Sequence, residues 1–395
     1  MDLKERALKL HEENHGKLEM KSKVKIENQE DLSLAYTPGV AYPCKEIEKD
    51  KNLCYTYTAK SNTVAVITDG SAVLGLGNIG PYAAIPVMEG KSILLKELAN
   101  VDSFPICLKT QDVEEIIKTV KYLEPTLGAI NLEDISAPRC VEIERRLIKE
   151  MDIPVFHDDQ HGTSIIVAAA FLNIERFTKK PLKDMTVVLS GTGAAGSMVA
   201  RMLKKIGVGK IYAYNINGVV DKNKYDSYDF LIKELIDDGI FDTPKNHDNT
   251  LKSIMVGANA FVGVSAPNLV TKEMVKSMAD KPIVFAMANP TPEISYLDAK
   301  EAGAYIVGSG RSDYPNQINN VLAFPGLFKG ALAVRARKIN EEMKLAASYA
   351  IANIISDNEL KPDYIVPNAF DNRVVEAVSK AVSEAAIKTN VARIK

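Results

Sequence analysis

Residues 156–164 read FHDDQHGTS, two histidines bracketing a pair of aspartates ahead of a glycine. These residue types admit three chemistries: a zinc site, an oxygen-only site for a hard cation, or a polar turn that caps a helix. Zinc needs two histidines one turn apart on a continuous helix, as in HExxH. The preceding DIPVF contains Pro154 and has the pattern of a strand, and Gly162 follows at once. The spacing therefore places His157 and His161 on a strand-to-helix turn, with the helix expected to start near Gly162, where i, i+4 spacing has no ligand geometry. The aspartates have company. Glu133 and Asp134 close the β-rich run GAINLED, and strand ends on one edge of an α/β sheet converge at a ligand crevice. Oxygen-only ligands select Mg²⁺ or Mn²⁺ over zinc or copper. By spacing alone the alternative stands level: Asp158 and Asp159 cap a helix, while Glu133 and Asp134 are solvated loop residues.

A second chemistry is written in glycine. Gly75, Gly77 and Gly80 in LGLGNIG match GxGxxG, and so do Gly191, Gly193 and Gly196 in SGTGAAG. A dinucleotide site needs a strand before the glycines and an uninterrupted helix after them, so that N–H groups at the helix start meet the pyrophosphate. MTVVLSGTGAAGSMVARMLKKIGVGKIYAYN supplies strand, loop, helix and strand. At the first fingerprint Pro81 and Pro86 interrupt the helix pattern, and TDGSAVL is expected to form a hairpin. The second fingerprint is the expected cofactor loop. The acid that usually ends the second strand is replaced by Asn215, which can hold a ribose 2′-OH without repelling a 2′-phosphate. Lys222 and Lys224 lie downstream, so NAD or NADP is expected.

The elements that must position these groups follow from periodicity. Up to about residue 150, short β-rich runs (TVAVIT, PICLK, GAINL, IPVF) alternate with helical runs such as DVEEIIKTVKYL, the signature of an α/β layer. GTSIIVAAAFLNIERF is apolar almost all round and is expected to be a buried helix leading into a second unit. Strands at AFVGVS, PIVFAMA and AYIVGS follow, and the end of the chain, from ALAVRARKINEEMKLAASYAIANII onward, is helical in pattern. The expected fold is α/β with two domains, residues 1–160 and 161–395, the second a Rossmann-type doubly wound parallel sheet.

With 395 residues and 46% hydrophobic content the chain is long enough for two packed cores. Its net charge of −2, with both signs interspersed, lacks the basic footprint of a nucleic-acid or membrane-surface protein. The cysteines, Cys44, Cys54, Cys107 and Cys140, have no CxxC spacing. No secretory signal and no apolar run of about 18 residues occurs, so a reduced, cytoplasmic setting is expected.

A hydride acceptor beside a chelated cation suits a 2-hydroxy acid, and a carboxylate β to the new ketone would leave as CO₂. Beyond spacing, LAYTPGVA (34–41), VITDGSAVLGLGNIG (66–80), EGKSILLKELANVD (89–102), NLEDISAP (131–138), FHDDQHGTS, GTGAAG, GVSAPN (263–268), FAMANPTPE (285–293) and GRSDYPNQINNVLAFPG (310–326) resemble, in order, the malic enzyme family of the short bacterial and archaeal type. The resemblance implies a malic-type first domain and oxidative decarboxylation of L-malate to pyruvate with NAD or NADP and Mn²⁺ or Mg²⁺. It implies Glu133, Asp134 and Asp159 as metal ligands and Lys91 as general base for the malate hydroxyl, supported by Asp158. A nearby cation and burial are expected to lower the pKa of Lys91. Tyr36 is implied as the acid that protonates C3. Gly191, Thr192, Gly193, Ala194, Ala195, Gly196, Asn215, Ser265 and Asn289 are implied at the cofactor, and Asn289, Asn319 and Asn320 at the malate carboxylates and nicotinamide.

Two positions depart from the pattern. Ala72 stands where the longer eukaryotic branch has a substrate-contacting arginine, and Asn268 stands where glycine is usual. The family places no ligand at His157 or His161. A homodimer is expected, with active-site elements exchanged between subunits. The chain stops after AIKTNVARIK, so no acyltransferase-like second half is expected. The rival readings are a metal-dependent oxaloacetate decarboxylase or malolactic-type lyase without net cofactor turnover, and a nucleotide-sensing module, the latter disfavoured by intact Tyr36, Lys91, Glu133, Asp134, Asp158 and Asp159.

Overall fold

The computed structural model describes residues 2–394. Two parallel sheets carry the chain. The first holds β1 (Thr63–Thr68), β2 (Asp102–Cys107), β3 (Ala129–Leu132) and β4 (Val155–His157) in the order β2-β1-β3-β4. The second holds β5 (Thr186–Ser190), β6 (Lys210–Asn215), β7 (Gly218–Val219), β8 (Ala260–Gly263), β9 (Ile283–Ala286) and β10 (Ile306–Ser309) in the order β10-β9-β8-β5-β6-β7, parallel except for β7. Strands buried on both faces read as continuous apolar runs, and β1 is buried at every residue.

In each sheet the strand order reverses once. In the first, the chain runs outward from β1 to β2 on one side and through β3 to β4 on the other; in the second, β5 leads to β6 on one side and neighbours β8 on the other. Helices on opposite faces diverge at such a switch point and leave a crevice beyond the carboxyl ends of the strands. The groups at issue follow β1, β3 and β4 in one sheet and β5, β6 and β8 in the other.

Three local expectations are corrected. Residues after β1 form no hairpin: the chain bends at residues 70–72, and Val73 makes only an isolated bridge to Gly77. The helix that follows runs unbroken from Gly80 to Ala99. Pro81 sits at its first turn, where the missing N–H costs nothing, and Pro86 inside it is tolerated. The buried helix begins at Asp158, not Gly162, and runs to Thr178. Two negative side chains in the first turn favour that earlier start.

The C-terminal helices Phe324–Ala333, Glu341–Ala352 and Arg373–Lys388 pack on one another, and the first also packs on the Gly80–Ala99 helix of the first sheet. No described helix is long and apolar enough to cross a membrane. At the other end of the chain, the helices Leu3–Asn14, Gln29–Ala35 and Ala41–Lys49 bury no residue.

Candidate active site

The carboxylates meet because two neighbouring strands, β3 and β4, end side by side. Glu133 and Asp134 follow β3, and Asp158 and Asp159 follow β4 on the first turn of the long helix. Ligand oxygens of Glu133, Asp134 and Asp159 lie within 4.8 Å of one another, with Glu133 and Asp134 buried. Asp134 has a left-handed backbone, φ +54, and its N–H donates to Asp159 Oδ2 at 2.8 Å. Asn131 Nδ2 donates to Glu133 Oε2 at 2.9 Å and fixes that carboxylate from within β3. Burial, together with Asp159, Asp158 and Asp134, pushes the Glu133 carboxyl well above its usual range, although Lys91 pulls it down. A cluster of this charge fits a divalent cation with oxygen ligands.

Lys91 projects from the Gly80–Ala99 helix. Its ammonium is 3.0 Å from Glu133 Oε1, bonds Asp158, and lies over the Phe324 ring at 4.7 Å. Burial disfavours the charge, but Asp158, Glu133 and Asp159 outweigh it and raise the pKa above the ordinary lysine value. The expected lowering belongs to a site in which a divalent cation balances those carboxylates. Gly162 lets the pair form: a Cβ there would collide with Asp158 Oδ1 and the Asn320 side chain.

His157 and His161 are not brought to the cluster as ligands. His161 Nε2 is 2.9 Å from Glu144 Oε2, and the Lys344 ammonium is 3.0 Å from His161 Nδ1. Glu144 also accepts from the His157 N–H at 2.8 Å. Despite burial, His161, Lys344 and His157 lower the Glu144 carboxyl to about 2. The carboxylate thereby ties the end of β4 to the helix carrying Asp158 and Asp159. A second tie is Arg139, bonded to Asp69, Ser71 and Ser136 at 2.9–3.0 Å. Glu144 and Arg139 escaped sequence reasoning because they hold partners 13 to 70 residues away, and Asn131 because an amide two residues before an acid carries no signal of its own.

The dinucleotide loop sits at the other switch point. Gly191 has φ +103, and a Cβ on Gly196 would strike the Gly191 carbonyl. A Cβ on Gly193 would meet nothing, leaving room over the start of the Ala194–Lys205 helix, whose first turn has no side-chain cap. Such a helix start fits a pyrophosphate. Asn215, at the end of β6, donates to Thr192 Oγ1 at 3.2 Å and accepts from the Asn217 N–H at 2.8 Å. Ser265 bonds Ser190 at 2.8 Å, and Glu293, also missed in the sequence, accepts from the N–H groups of Ser265 and Ala288 at 2.9 and 3.1 Å. Asn268 takes φ +59, a conformation natural to glycine and tolerated by asparagine.

The two crevices open on one cavity of about 730 Å³. Lys91, Glu133, Asp134, Asp159, Ala195, Ser265, Asn289, Asn319 and Asn320 line it, together with Ala72, Gly75 and Lys17. Gly75 of the first fingerprint packs so closely on the Asn289 carbonyl that a Cβ would not fit. Its role is to join the two halves. Asn319 Oδ1 is committed to the Val321 N–H, 3.0 Å. Tyr36 is not brought here: it lies at the end of the Gln29–Ala35 helix, 65% exposed, outside the cavity lining of its own chain.

Comparison with known proteins gives the same picture over the whole chain. Residues 15–148 match the family model for the malic enzyme N-terminal domain, and residues 160–391 the model for the malic enzyme NAD-binding domain. The chain is 55% identical over 394 residues to the bifunctional malic/malolactic enzyme of Bacillus subtilis, covering 100% of this chain and 95% of that protein. It is 53% identical to an NAD-dependent malic enzyme of Geobacillus stearothermophilus, covering 96% and 78%. The crystal structure of an NAD-dependent malic enzyme from Thermotoga maritima superposes with a TM-score of 0.91 at 47% identity, covering 95% of this chain and 98% of that one. That of a malic enzyme from Pyrococcus horikoshii gives 0.93 at 43%, covering 100% and 93%. Two switch-point crevices sharing one cavity, with both family domains matched in order, place this chain in the malic enzyme family.

Proposed function

We propose that the cavity oxidises L-malate at C2 with NAD or NADP and releases CO₂ and pyruvate. The observation that carries this is Lys91, bonded to Asp158 and Glu133, in the same cavity as Ala195 and Ser265 of the dinucleotide crevice. Bound by Glu133, Asp134 and Asp159, Mg²⁺ or Mn²⁺ would polarise the substrate oxygens and supply the positive charge that lets Lys91 lose its proton. Lys91 then accepts the C2 hydroxyl proton, and Asp158, buried and fixed on the helix, keeps its amine aimed. Asn289, Asn319 and Asn320 hold the malate carboxylates and the nicotinamide amide. Gly191, Thr192, Gly193, Ala194, Ala195 and Gly196 seat the pyrophosphate, and Asn215 the adenosine ribose.

Tyr36 supplies the proton at C3, from a second copy of the chain. The support is its position: exposed on its own chain, on a segment with Leu34 and Tyr42 at 70% and 71% exposure. Those side chains belong to helices that bury nothing, and burying them against a partner gives a homodimer. The four cysteines are unpaired, which supports a reducing cytoplasmic setting.

The test is to mix protein, L-malate and Mn²⁺ with NAD or NADP and follow reduced nicotinamide, pyruvate and lactate. Reduced cofactor in step with pyruvate is expected. The bifunctional name of the Bacillus subtilis relative favours one second reading, malolactic conversion at the same site. Lactate without net cofactor reduction would establish it, and no product would overturn both.

A further inference from the structure

We propose that Lys17 binds the C1 carboxylate of the substrate; the inference rests on the malate reading above. Among the described residues lining the cavity, Lys17 and Lys91 are the cations. Lys91 is committed to Glu133 and Asp158. Lys17 is differently held. It follows the Leu3–Asn14 helix and is clamped on the Gly80–Ala99 helix at two points: its N–H donates to Glu89 Oε2 at 3.0 Å and its ammonium to the Pro86 carbonyl at 2.6 Å. The carboxylate of Glu89 is thus used to fix the backbone, while the ammonium, bonded to one neutral carbonyl, keeps two donors for a ligand.

It lines the cavity that holds Lys91 and the carboxylates. A Cβ on Gly90 would come within 3.7 Å of Lys17 Nζ, so the ammonium lies over Gly90, the residue before Lys91, on the Gly80–Ala99 helix. Ala72, on the lining, contributes no charge. With a divalent cation among Glu133, Asp134 and Asp159 and Lys91 paired with Asp158, L-malate still adds two negative charges, and an ammonium on the cavity lining complements them. A cation on the departing C4 carboxylate would stabilise the charge that CO₂ loss removes and so oppose the step. One on C1 carries no such penalty.

Lys17→Met and Lys17→Arg, compared with wild type, decide the matter. Binding of L-malate and of L-lactate, which shares the C1–C2 half but lacks C4, is measured by titration calorimetry on the Mn²⁺-loaded protein. Turnover with malate is measured alongside. Loss of a charge-assisted hydrogen bond is expected to weaken both ligands in Lys17→Met by about 10- to 100-fold. The KM for malate should rise by a similar factor, with kcat and the affinities for Mn²⁺ and dinucleotide little changed, the pattern of lost uniform binding. Lys17→Arg should restore most of the affinity. Unchanged malate binding would overturn the proposal, and loss confined to malate would overturn the assignment to C1. Equal loss of malate, Mn²⁺ and dinucleotide would make Lys17 structural. If wild type binds malate yet makes no reduced cofactor, the functional reading fails while the titrations still judge Lys17.

Discussion

The Lys91 ammonium lies 3.0 Å from Glu133 and bonds Asp158, so one cation stands among carboxylates that would otherwise repel. This single relationship ties the proposed general base to the proposed metal site. Removing the ammonium has opposite effects on the two. Lys91→Ala is expected to lower kcat by about 10²- to 10⁴-fold, the usual worth of a positioned base. Mn²⁺ binding should hold or tighten, because a competing positive charge is gone. Steady-state kinetics and a Mn²⁺ titration on one sample check both halves.

Asp159→Ala should weaken Mn²⁺ binding while dinucleotide binding survives, since the cofactor loop belongs to the other sheet. Protons compete for the same site. Burial and the neighbouring acids raise the Glu133 carboxyl, so Mn²⁺ affinity is expected to climb with pH until that group is fully ionised. A pH-independent affinity would contradict the role of Glu133 as ligand.

Glu144 bears on stability. Its pKa is lowered from 4.5 to about 2 in the fold, so its contribution is present above the unfolded value and is lost as pH falls toward 2. The shift corresponds to roughly 3 kcal/mol at neutral pH. Glu144→Gln should lower the melting temperature at pH 7 and differ less from wild type as the solution is acidified, which calorimetry across that range will read.

Asn215→Asp places a carboxylate at the end of β6. A 2′-phosphate would then be repelled, while a 2′-OH gains an acceptor. The kcat/KM for NADP is expected to fall by about tenfold or more with that for NAD held or raised. Equal loss with both cofactors would remove Asn215 from the ribose site.

The sequence alone determined the strands, the dinucleotide loop and the carboxylate set. Alternation and apolar runs report local geometry, and SGTGAAG carries its strand and helix beside it. Glu133, Asp134 and the pair Asp158 and Asp159 were legible as acids at strand ends, though capping competed equally until the resemblance weighed in and singled out Asp159. What only the tertiary structure decided is non-local. The first fingerprint packs Gly75 on Asn289 across the cavity, the HDDQH turn starts a helix at Asp158, and His161 pairs with Glu144 and Lys344. The charge on Lys91 is set by the three carboxylates from β3 and β4 that surround it, and their number near one atom is set by strand order. Tyr36 stands apart from its motif partners for the same reason: a motif fixes residue type, while distance in space is fixed by which surfaces the whole chain buries.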